Sequence, residues 1–144
     1  MSDRPAYERG TGFLLSRLGS LAARSWAAFL AEHEVSPGQY AVLVVLNEQG
    51  PLGQVSLARS IAVDARNLVA VLDSLSERGL VGRAADPADG RRRVVSLTPA
   101  GKSLVDDLAT AAARGQDDFL RALGTRDRDR FTDLLRRVYD SHTG

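Results

Sequence analysis

The chain has 144 residues, a formal net charge of +1, 44% hydrophobic and 26% charged residues, and no cysteine. This length suits one compact domain, and the balanced composition argues against wholesale disorder. The absence of cysteine excludes a disulfide framework, a thiolate zinc site, a cysteine nucleophile and a thiol redox sensor. The two histidines are far apart, no apolar run reaches the roughly 18–20 residues of a membrane span, and the polar start lacks a signal-peptide pattern. We therefore expect a cytoplasmic protein without a metal, a cofactor or membrane contact.

The first part of the chain is predicted to be helical. Leucine, alanine and phenylalanine recur at helical spacing over residues 12–34. Ser36 and Pro37 then form a helix start signal, with Ser36 as the cap and Pro37 at the first helical position, and residues 50–51 (Gly-Pro) end that helix. A short third helical segment is expected at residues 54–61, with two apolar anchors four positions apart.

The next helix has clearer signals, from a cap at Asp64 to a stop at Gly79. Its apolar face contains Leu68, Val71, Leu72 and Leu75. At about 100° per residue the opposite face is basic and small near the start and acidic near the end, through Arg66, Ala70, Asp73 and Glu77.

A β-hairpin with a basic tip is predicted after this helix. Residues 80–84 and 93–97 have the composition of short strands, and residues 86–90 between them are rich in turn formers. The excess of positive charge lies in this middle part of the chain, where residues 59–93 hold 7 Lys and Arg against 5 Asp and Glu and end in Arg91-Arg92-Arg93. Such a run is either a local site for a polyanion or a solvated turn, and the context decides between them.

The C-terminal part returns to helical spacing. Thr98 as a cap and Pro99 at the first position open a long helix that reaches about Leu123, and a last helix follows the break at residues 124–125. These helices and the first one carry more apolar surface than helices flanking a small domain can bury alone, through Phe13, Leu14, Leu18, Phe119, Leu120, Leu123, Phe131, Leu134, Leu135 and Val138. Either a second copy of the chain shares this surface or the helices form a self-contained bundle.

The order of elements predicts a winged helix-turn-helix, a mainly α fold with a small β-hairpin wing. In this arrangement the start of one helix enters the major groove of DNA, and the basic wing reaches the phosphate backbone or the adjacent minor groove. Because phosphate repels Asp73 and Glu77, only the first two turns of the helix that begins near Asp64 suit such a contact.

Three motifs together resemble the MarR family of bacterial transcriptional regulators: L-x-x-x-G-L-V-x-R at residues 75–83, D-P-x-D-x-R at 86–91 and L-T-x-x-G at 97–101. The resemblance covers essentially the whole chain. It implies one MarR-type domain over residues 1–144, with a winged helix-turn-helix lobe at 36–98 and dimerisation helices at 7–34 and 99–144. It also implies a homodimer that represses transcription by binding a pseudo-palindromic operator in double-stranded DNA and is released by a small anionic or aromatic ligand.

By this resemblance Arg66 and Asn67 take base-reading positions, where Arg can pair with guanine and Asn with adenine. The alternative for Arg66 is an ordinary solvent-facing arginine. Asp64 is interpreted as a helix cap, or otherwise as a residue that orients Arg66. The other candidate contacts on these helices are the phosphate-binding Ser56 and Arg59, together with Ala70 on the exposed face.

In the predicted wing, Asp89 and Arg91 match the family's D-x-R element, in which the carboxylate braces the hairpin and the arginine enters the minor groove. Arg92 and Arg93 could replace Arg91 or bind phosphate, because successive strand residues point to opposite faces. Arg83 and Asp86 are interpreted as structural residues at the base of the wing.

The resemblance also implies an effector site near the first helices. Arg17 and Arg24 are seven positions apart, so they share one side of the first helix and are candidate partners for a carboxylate, with Trp26 and Tyr40 as aromatic neighbours. The expected effector is a small aromatic carboxylate or phenol. The alternative is that the two arginines pair with acids such as Glu8 or with the partner subunit.

Two other classes of function compete with this interpretation. An enzyme is disfavoured because the adjacent carboxylates at residues 106–107 and 117–118 diverge on a helix, and no phosphate loop, nucleophile motif or metal cluster is present in the sequence. The second alternative is a winged-helix module for protein interaction without a ligand response.

Overall fold

The computed structural model of the protein describes residues 3–61 and 65–144. Within these residues the chain forms one short 3-10 helix (Ala6–Arg9), six α-helices and three strands. The α-helices are α1 (Thr11–Glu32), α2 (Pro37–Gln49), α3 (Gln54–Ile61), α4 (Ala65–Glu77), α5 (Pro99–Phe119) and α6 (Thr125–Thr143). The strands are β1 (Leu52–Gly53), β2 (Val81–Ala85) and β3 (Arg93–Leu97). The predicted class, mainly α with a small β-hairpin, is confirmed.

The three strands form one antiparallel sheet in the order β1-β3-β2. Strands β2 and β3 make the predicted hairpin, with Arg83 opposite Val95. Strand β1 was not predicted, because two residues are too short to show an alternating pattern. It exists through its pairing with β3, in which Leu52 lies opposite Val95.

The start of α2 follows the sequence signal. The Ser36 hydroxyl accepts a hydrogen bond from the Gln39 backbone N–H at 3.1 Å, and the Ser36 N–H donates to the Gln39 side-chain oxygen at 2.9 Å. This reciprocal pair is a capping box, and Pro37 occupies the first helical position as predicted.

The end of α4 explains the glycine of the first motif. Gly79 has a φ of +70°. The Leu80 N–H donates to the Leu75 carbonyl at 2.9 Å, and the Gly79 N–H donates to the Ser76 carbonyl at 3.0 Å. These bonds form a Schellman motif, which needs a residue in the left-handed region. Leu75 and Leu80 are both buried, so the motif turns the chain from α4 into β2 over an apolar contact.

The third motif fastens the start of α5 to the same turn. The Thr98 hydroxyl donates to the Gly79 carbonyl at 2.6 Å and accepts from the Gly101 N–H at 3.0 Å. A Cβ on Gly101 would overlap the carbonyl oxygen of Leu80. Gly101 therefore permits a backbone approach that no other residue would allow.

The chain divides into two compact units, Met1–Ala109 and Thr110–Gly144. The main core of the first unit contains Val42, Leu43, Leu46, Leu57, Leu68, Leu72, Leu75, Leu80, Val81, Val95 and Val105. A smaller cluster in the same unit consists of Leu30, Val35 and Leu108, with Phe29, Tyr40 and Leu104 packed against it. The predicted organisation as one MarR-type domain stays a prediction.

In the second unit, α5 ends at Phe119, four residues before the predicted position. The Arg128 Nε donates to the carbonyls of Leu120 and Leu123 at 3.2 and 2.8 Å, and its Nη1 lies 3.3 Å from Asp117 Oδ1. Arg128 thus satisfies carbonyl groups beyond the end of the helix, where no further turn of helix is available to accept their bonds.

Candidate nucleic-acid interface

The outward face of α4 is the first part of the candidate site. Leu68, Leu72 and Leu75 are buried, whereas Arg66, Asn67, Val69, Ala70, Asp73 and Glu77 are exposed. We refer to these six exposed residues as the outward face. The first two turns of α4 therefore present Arg66, Asn67 and Ala70 to the surroundings, and the acidic residues follow one turn later.

On one flank, α4 is held by the first turn of α2 and by the turn that precedes it. The Gln39 amide donates to the Ser74 hydroxyl at 2.8 Å. Arg78 Nη1 donates to the Glu34 carbonyl at 2.7 Å, and Glu34 has φ of +55°. A Cβ on Gly38 would lie 3.2 Å from a Val71 methyl carbon, so the start of α2 packs tightly against α4.

On the other flank, α4 is held by the wing, which consists of β2, β3 and the turn between them. Arg83 Nη1 of β2 lies 2.8 Å from Asp73 Oδ1 of α4. Arg83 is structural, as interpreted from the sequence, but its partner is on the helix rather than in the wing. The ion pair also offsets a negative charge on the outward face of α4.

The tip of the wing is a turn braced by two aspartates. Asp86 accepts from the Ala88 N–H at 2.9 Å, and Asp89 accepts from the Arg91 N–H at 3.1 Å. Both bonds join a side chain to a backbone group two residues later, as in Asx turns. Asp89 Oδ2 is also 3.9 Å from Arg92 Nε. The turn leaves the side chains of all three tip arginines exposed.

A cleft of about 640 Å³ lies between α3 and the wing. Its lining includes five predicted site residues, namely Ser56, Arg59, Arg91, Arg92 and Arg93. We call this the basic cleft. Gly53, Gln54, Val55, Ala58 and Leu68 complete its lining. Four arginines around one cleft create a concentrated positive potential although the whole chain is nearly neutral.

The predicted effector residues do not gather at one place. Trp26 lies edge-on to Tyr40 with ring centroids 5.0 Å apart and is stacked on Phe29 at 5.2 Å. Arg17 and Arg24 are exposed, but at about 100° per residue they lie roughly opposite Trp26 on α1. One chain therefore brings the two aromatic candidates together and holds the two arginines on the other side of the helix.

Of the predicted site residues, Asp64 lies outside the described residues, so its role as a cap stays a prediction. Sequence reasoning missed Gln39, Asp73 and Arg78 as the residues that hold α4. The signals that could have found them are weak, since the contacts of Gln39 and Arg78 join positions 35 and 44 residues apart and the ion pair of Asp73 joins a helix to a strand. Among the described residues, no three His, Asp or Glu side chains are grouped so that they could hold a metal ion. None of the helices formed by the described residues is long and apolar enough to cross a membrane.

Known proteins resemble this chain over most of its length. A family model for the MarR family matches residues 35–92. A protein assigned as the transcriptional regulator of the hcr operon in Thauera aromatica is 35% identical over 135 residues, which cover 92% of this chain and 81% of that protein.

Several solved structures share the fold of this chain. The PcaV transcriptional regulator of Streptomyces coelicolor is 32% identical with a TM-score of 0.73, and the match covers 94% of this chain and 98% of PcaV. A second structure contains PcaV with its natural ligand, at 31% identity, a TM-score of 0.66 and 99% coverage of both chains. BpsR of Bordetella bronchiseptica, whose DNA binding is regulated by 6-hydroxynicotinic acid, is 26% identical with a TM-score of 0.69, covering 95% of this chain and 98% of BpsR.

These relatives are regulators of transcription rather than enzymes, and each of these matches covers at least 92% of this chain. The chain belongs to the MarR family of winged-helix transcriptional regulators.

Proposed function

We propose that the protein is a repressor that binds a pseudo-palindromic operator in double-stranded DNA as a homodimer and leaves it when a small aromatic or anionic ligand binds. One observation carries the DNA-binding part of this proposal. Four arginines line the basic cleft, and the cleft extends to α4, where the buried Leu68 forms part of its lining. The chain thus offers a positive site for phosphate next to the helix proposed for the major groove.

The proposed roles follow the chemistry of each side chain. Arg66 and Asn67 read base edges in the major groove, because Arg forms paired hydrogen bonds with guanine and Asn with adenine. Ala70 lets the helix approach the bases. Asp64 caps the helix. The proposed DNA-binding lobe is residues 36–98.

The basic cleft takes the sugar-phosphate backbone. Ser56 can donate one hydrogen bond to a phosphate oxygen, and Arg59 offers a planar set of charged donors. Arg91 is proposed to enter the minor groove, with Asp89 holding its backbone in place. Arg92 and Arg93 provide further contacts to phosphate.

Dimerisation is proposed because two apolar surfaces lack cover within their own units. In the second unit, α6 has no buried residue among those described, and one side of it exposes Leu134, Leu135, Val138 and Tyr139. In the first unit, α1 exposes Leu14, Leu15 and Leu18. Burying such surfaces against a second copy is favourable, and a two-fold dimer matches a two-fold operator.

Repression follows when the dimer occupies its operator. A dimer that covers two successive major grooves excludes other proteins from that stretch of duplex. Release by a ligand requires that the ligand bind the free form more tightly than the DNA-bound form, by about 1.4 kcal/mol for a tenfold shift.

The effector is proposed to be a small aromatic carboxylate or phenol. The regulation of BpsR by 6-hydroxynicotinic acid supports this class. Trp26 and Tyr40 offer ring surfaces, and Arg17 or Arg24 offers a partner for a carboxylate. Because these groups lie on opposite sides of α1, we propose that the rings come from one copy and the arginine from the other.

In vitro selection from a random duplex library tests the function. We expect the recovered sites to be pseudo-palindromic, with half-site centres about 10 bp apart. A library that shows no enrichment after repeated rounds would count against DNA binding. It would favour the alternative, a winged-helix module for protein interaction.

A further inference from the structure

One large apolar side chain stands out on the outward face of α4. Val69 is 41% exposed, whereas its neighbour Leu68 is 1% exposed. At about 100° per residue, Val69 lies beside Arg66, one turn earlier, and Asp73, one turn later. Val69 therefore belongs to the part of α4 that the proposed function directs into the major groove.

Neither helix stability nor core packing explains a valine at this position. A β-branched residue is a weaker helix former than alanine. The apolar cluster around Leu68 and Leu72 does not include Val69 among the residues that the structure describes. What this side chain supplies is an apolar surface at the end of a short stem.

The major groove contains one apolar group that suits such a surface, the C5-methyl group of thymine. An isopropyl group neither donates nor accepts hydrogen bonds, so it can discriminate only by removing apolar surface from water. The surroundings favour a close approach, because Ala70 is small and the charge of Asp73 is offset by Arg83 at 2.8 Å.

We propose that Val69 is a specificity-determining residue that contacts the methyl group of one thymine in each half-site of the operator. This inference rests on the proposed function, since it needs α4 in the major groove. It adds a preference for a T·A pair at one defined position, next to the base pair that Arg66 contacts.

Replacing thymine by deoxyuridine tests the contact, because the exchange removes the methyl group and leaves base pairing unchanged. Each symmetric pair of thymines in the selected operator is exchanged in turn, and binding is measured by fluorescence anisotropy. For wild-type protein we expect one pair of positions at which affinity falls about fifteen-fold, or about fourfold for each methyl group removed from its contact. Val69→Ala should bind the thymine operator more weakly and lose no further affinity when that pair is exchanged.

Val55→Ala is the matched control. Val55 is a valine of α3 that is 68% exposed and lines the basic cleft, so its truncation removes the same atoms from the proposed DNA-binding surface outside α4 and controls for a general loss of affinity. This variant should keep the full loss on exchange to deoxyuridine, whatever its own affinity. Thermal unfolding of both variants verifies that they are folded.

Two results overturn the inference and leave the proposed function standing. One is a wild-type protein that binds the selected operator equally well when any thymine pair is exchanged. The other is a Val69→Ala protein that keeps the wild-type loss. A wild-type protein without selective duplex binding overturns the proposed function and this inference together.

Discussion

Arg83 in β2 and Asp73 in α4 form an ion pair in which Nη1 and Oδ1 are 2.8 Å apart. The pair joins the wing to the helix proposed to read bases, and it offsets the acidic charge nearest to the base-reading turns. Ser74 accepts a hydrogen bond from Gln39 on the other flank, so α4 is tied on both sides. The orientation of its outward face therefore depends on contacts outside the helix itself.

The ion pair should matter more for DNA binding than for stability. Arg83 and Asp73 are partly exposed, and such pairs contribute about 0–1 kcal/mol to folding. Arg83→Met keeps most of the side-chain stem but leaves Asp73 uncompensated near phosphate, so we expect weaker operator binding with little change in Tm. Asp73→Asn in the Arg83→Met background should restore part of the affinity. If the single and double variants bind equally weakly in anisotropy titrations, charge compensation is not the role of Arg83.

Substitution of Arg66 and substitution of Arg91 should weaken DNA binding in different ways. Arg66→Ala removes a proposed base contact, so it should cost about 1–3 kcal/mol and relax the base preference at one position of each half-site. Arg91→Ala removes a charge from the basic cleft and should weaken binding to all duplexes, lowering the slope of log Kd against log salt by about one. Competition titrations with operator variants at several salt concentrations separate these effects. Equal base preference in wild type and Arg66→Ala would contradict the assignment of α4.

Gly101 should be intolerant of alanine for a purely steric reason. Its added Cβ would overlap the Leu80 carbonyl oxygen, so the backbone would have to shift, at a cost of about 1–3 kcal/mol. Gly115 in the same helix is the control, because a Cβ there meets nothing within 4 Å. Gly115→Ala should stabilise the protein by about 0.5–1 kcal/mol through helix propensity. Urea unfolding compares the two, and an equal effect of both substitutions would exclude the close approach of α5 to Leu80.

Local signals in the sequence predicted much of this fold. The capping box of Ser36 and Gln39 and the left-handed Gly79 each depend on residues a few positions apart, so the sequence contains the whole interaction. Strand β1 could not be predicted, because Leu52 and Gly53 become a strand only through pairing with β3. The carbonyls that follow the early end of α5 are bonded by Arg128, which lies in the following helix, so this end has no purely local signal.

The residues of the candidate site could be proposed from the sequence, but their arrangement could not. Exposed arginines at 59 and 91–93 follow from composition and pattern, whereas their meeting in one cleft depends on how α3 packs against the wing. The opposite placement of Arg17 and Trp26 on α1 was available from their spacing of nine residues, since nine steps of about 100° end on the other side of a helix.

The apolar side of α6 should hold the dimer together. Replacing both Leu134 and Leu135 by Asp would place two unpaired charges in the proposed interface, each costing several kcal/mol if buried. Sedimentation should then detect monomer or unfolded chain, and operator binding should be lost. Arg136→Asp, on the other side of the helix, is the control and should remain dimeric. A dimer of the double variant at micromolar concentration would contradict the proposed interface.

The proposed arrangement of the effector site can be tested with a heterodimer in which each copy carries a different substitution. Arg17→Ala and Trp26→Ala homodimers should bind the operator but fail to respond to a panel of aromatic acids. If the rings and the arginine come from different copies, a heterodimer of the two variants has one intact site and regains a partial response. If both groups come from one chain, neither site of the heterodimer is intact. A wild-type response in the Arg17→Ala homodimer would transfer the role to Arg24.

The central claim is that the protein reads sequence in duplex DNA through α4 and the wing. The most direct measurement is an anisotropy titration of the wild-type protein with its selected operator and with a scrambled duplex of equal length and composition, at several salt concentrations. We expect the operator to bind at least about 10³-fold more tightly, with log Kd for both duplexes rising linearly with log salt. Equal affinity for the two duplexes, or binding that does not depend on salt, would contradict this account.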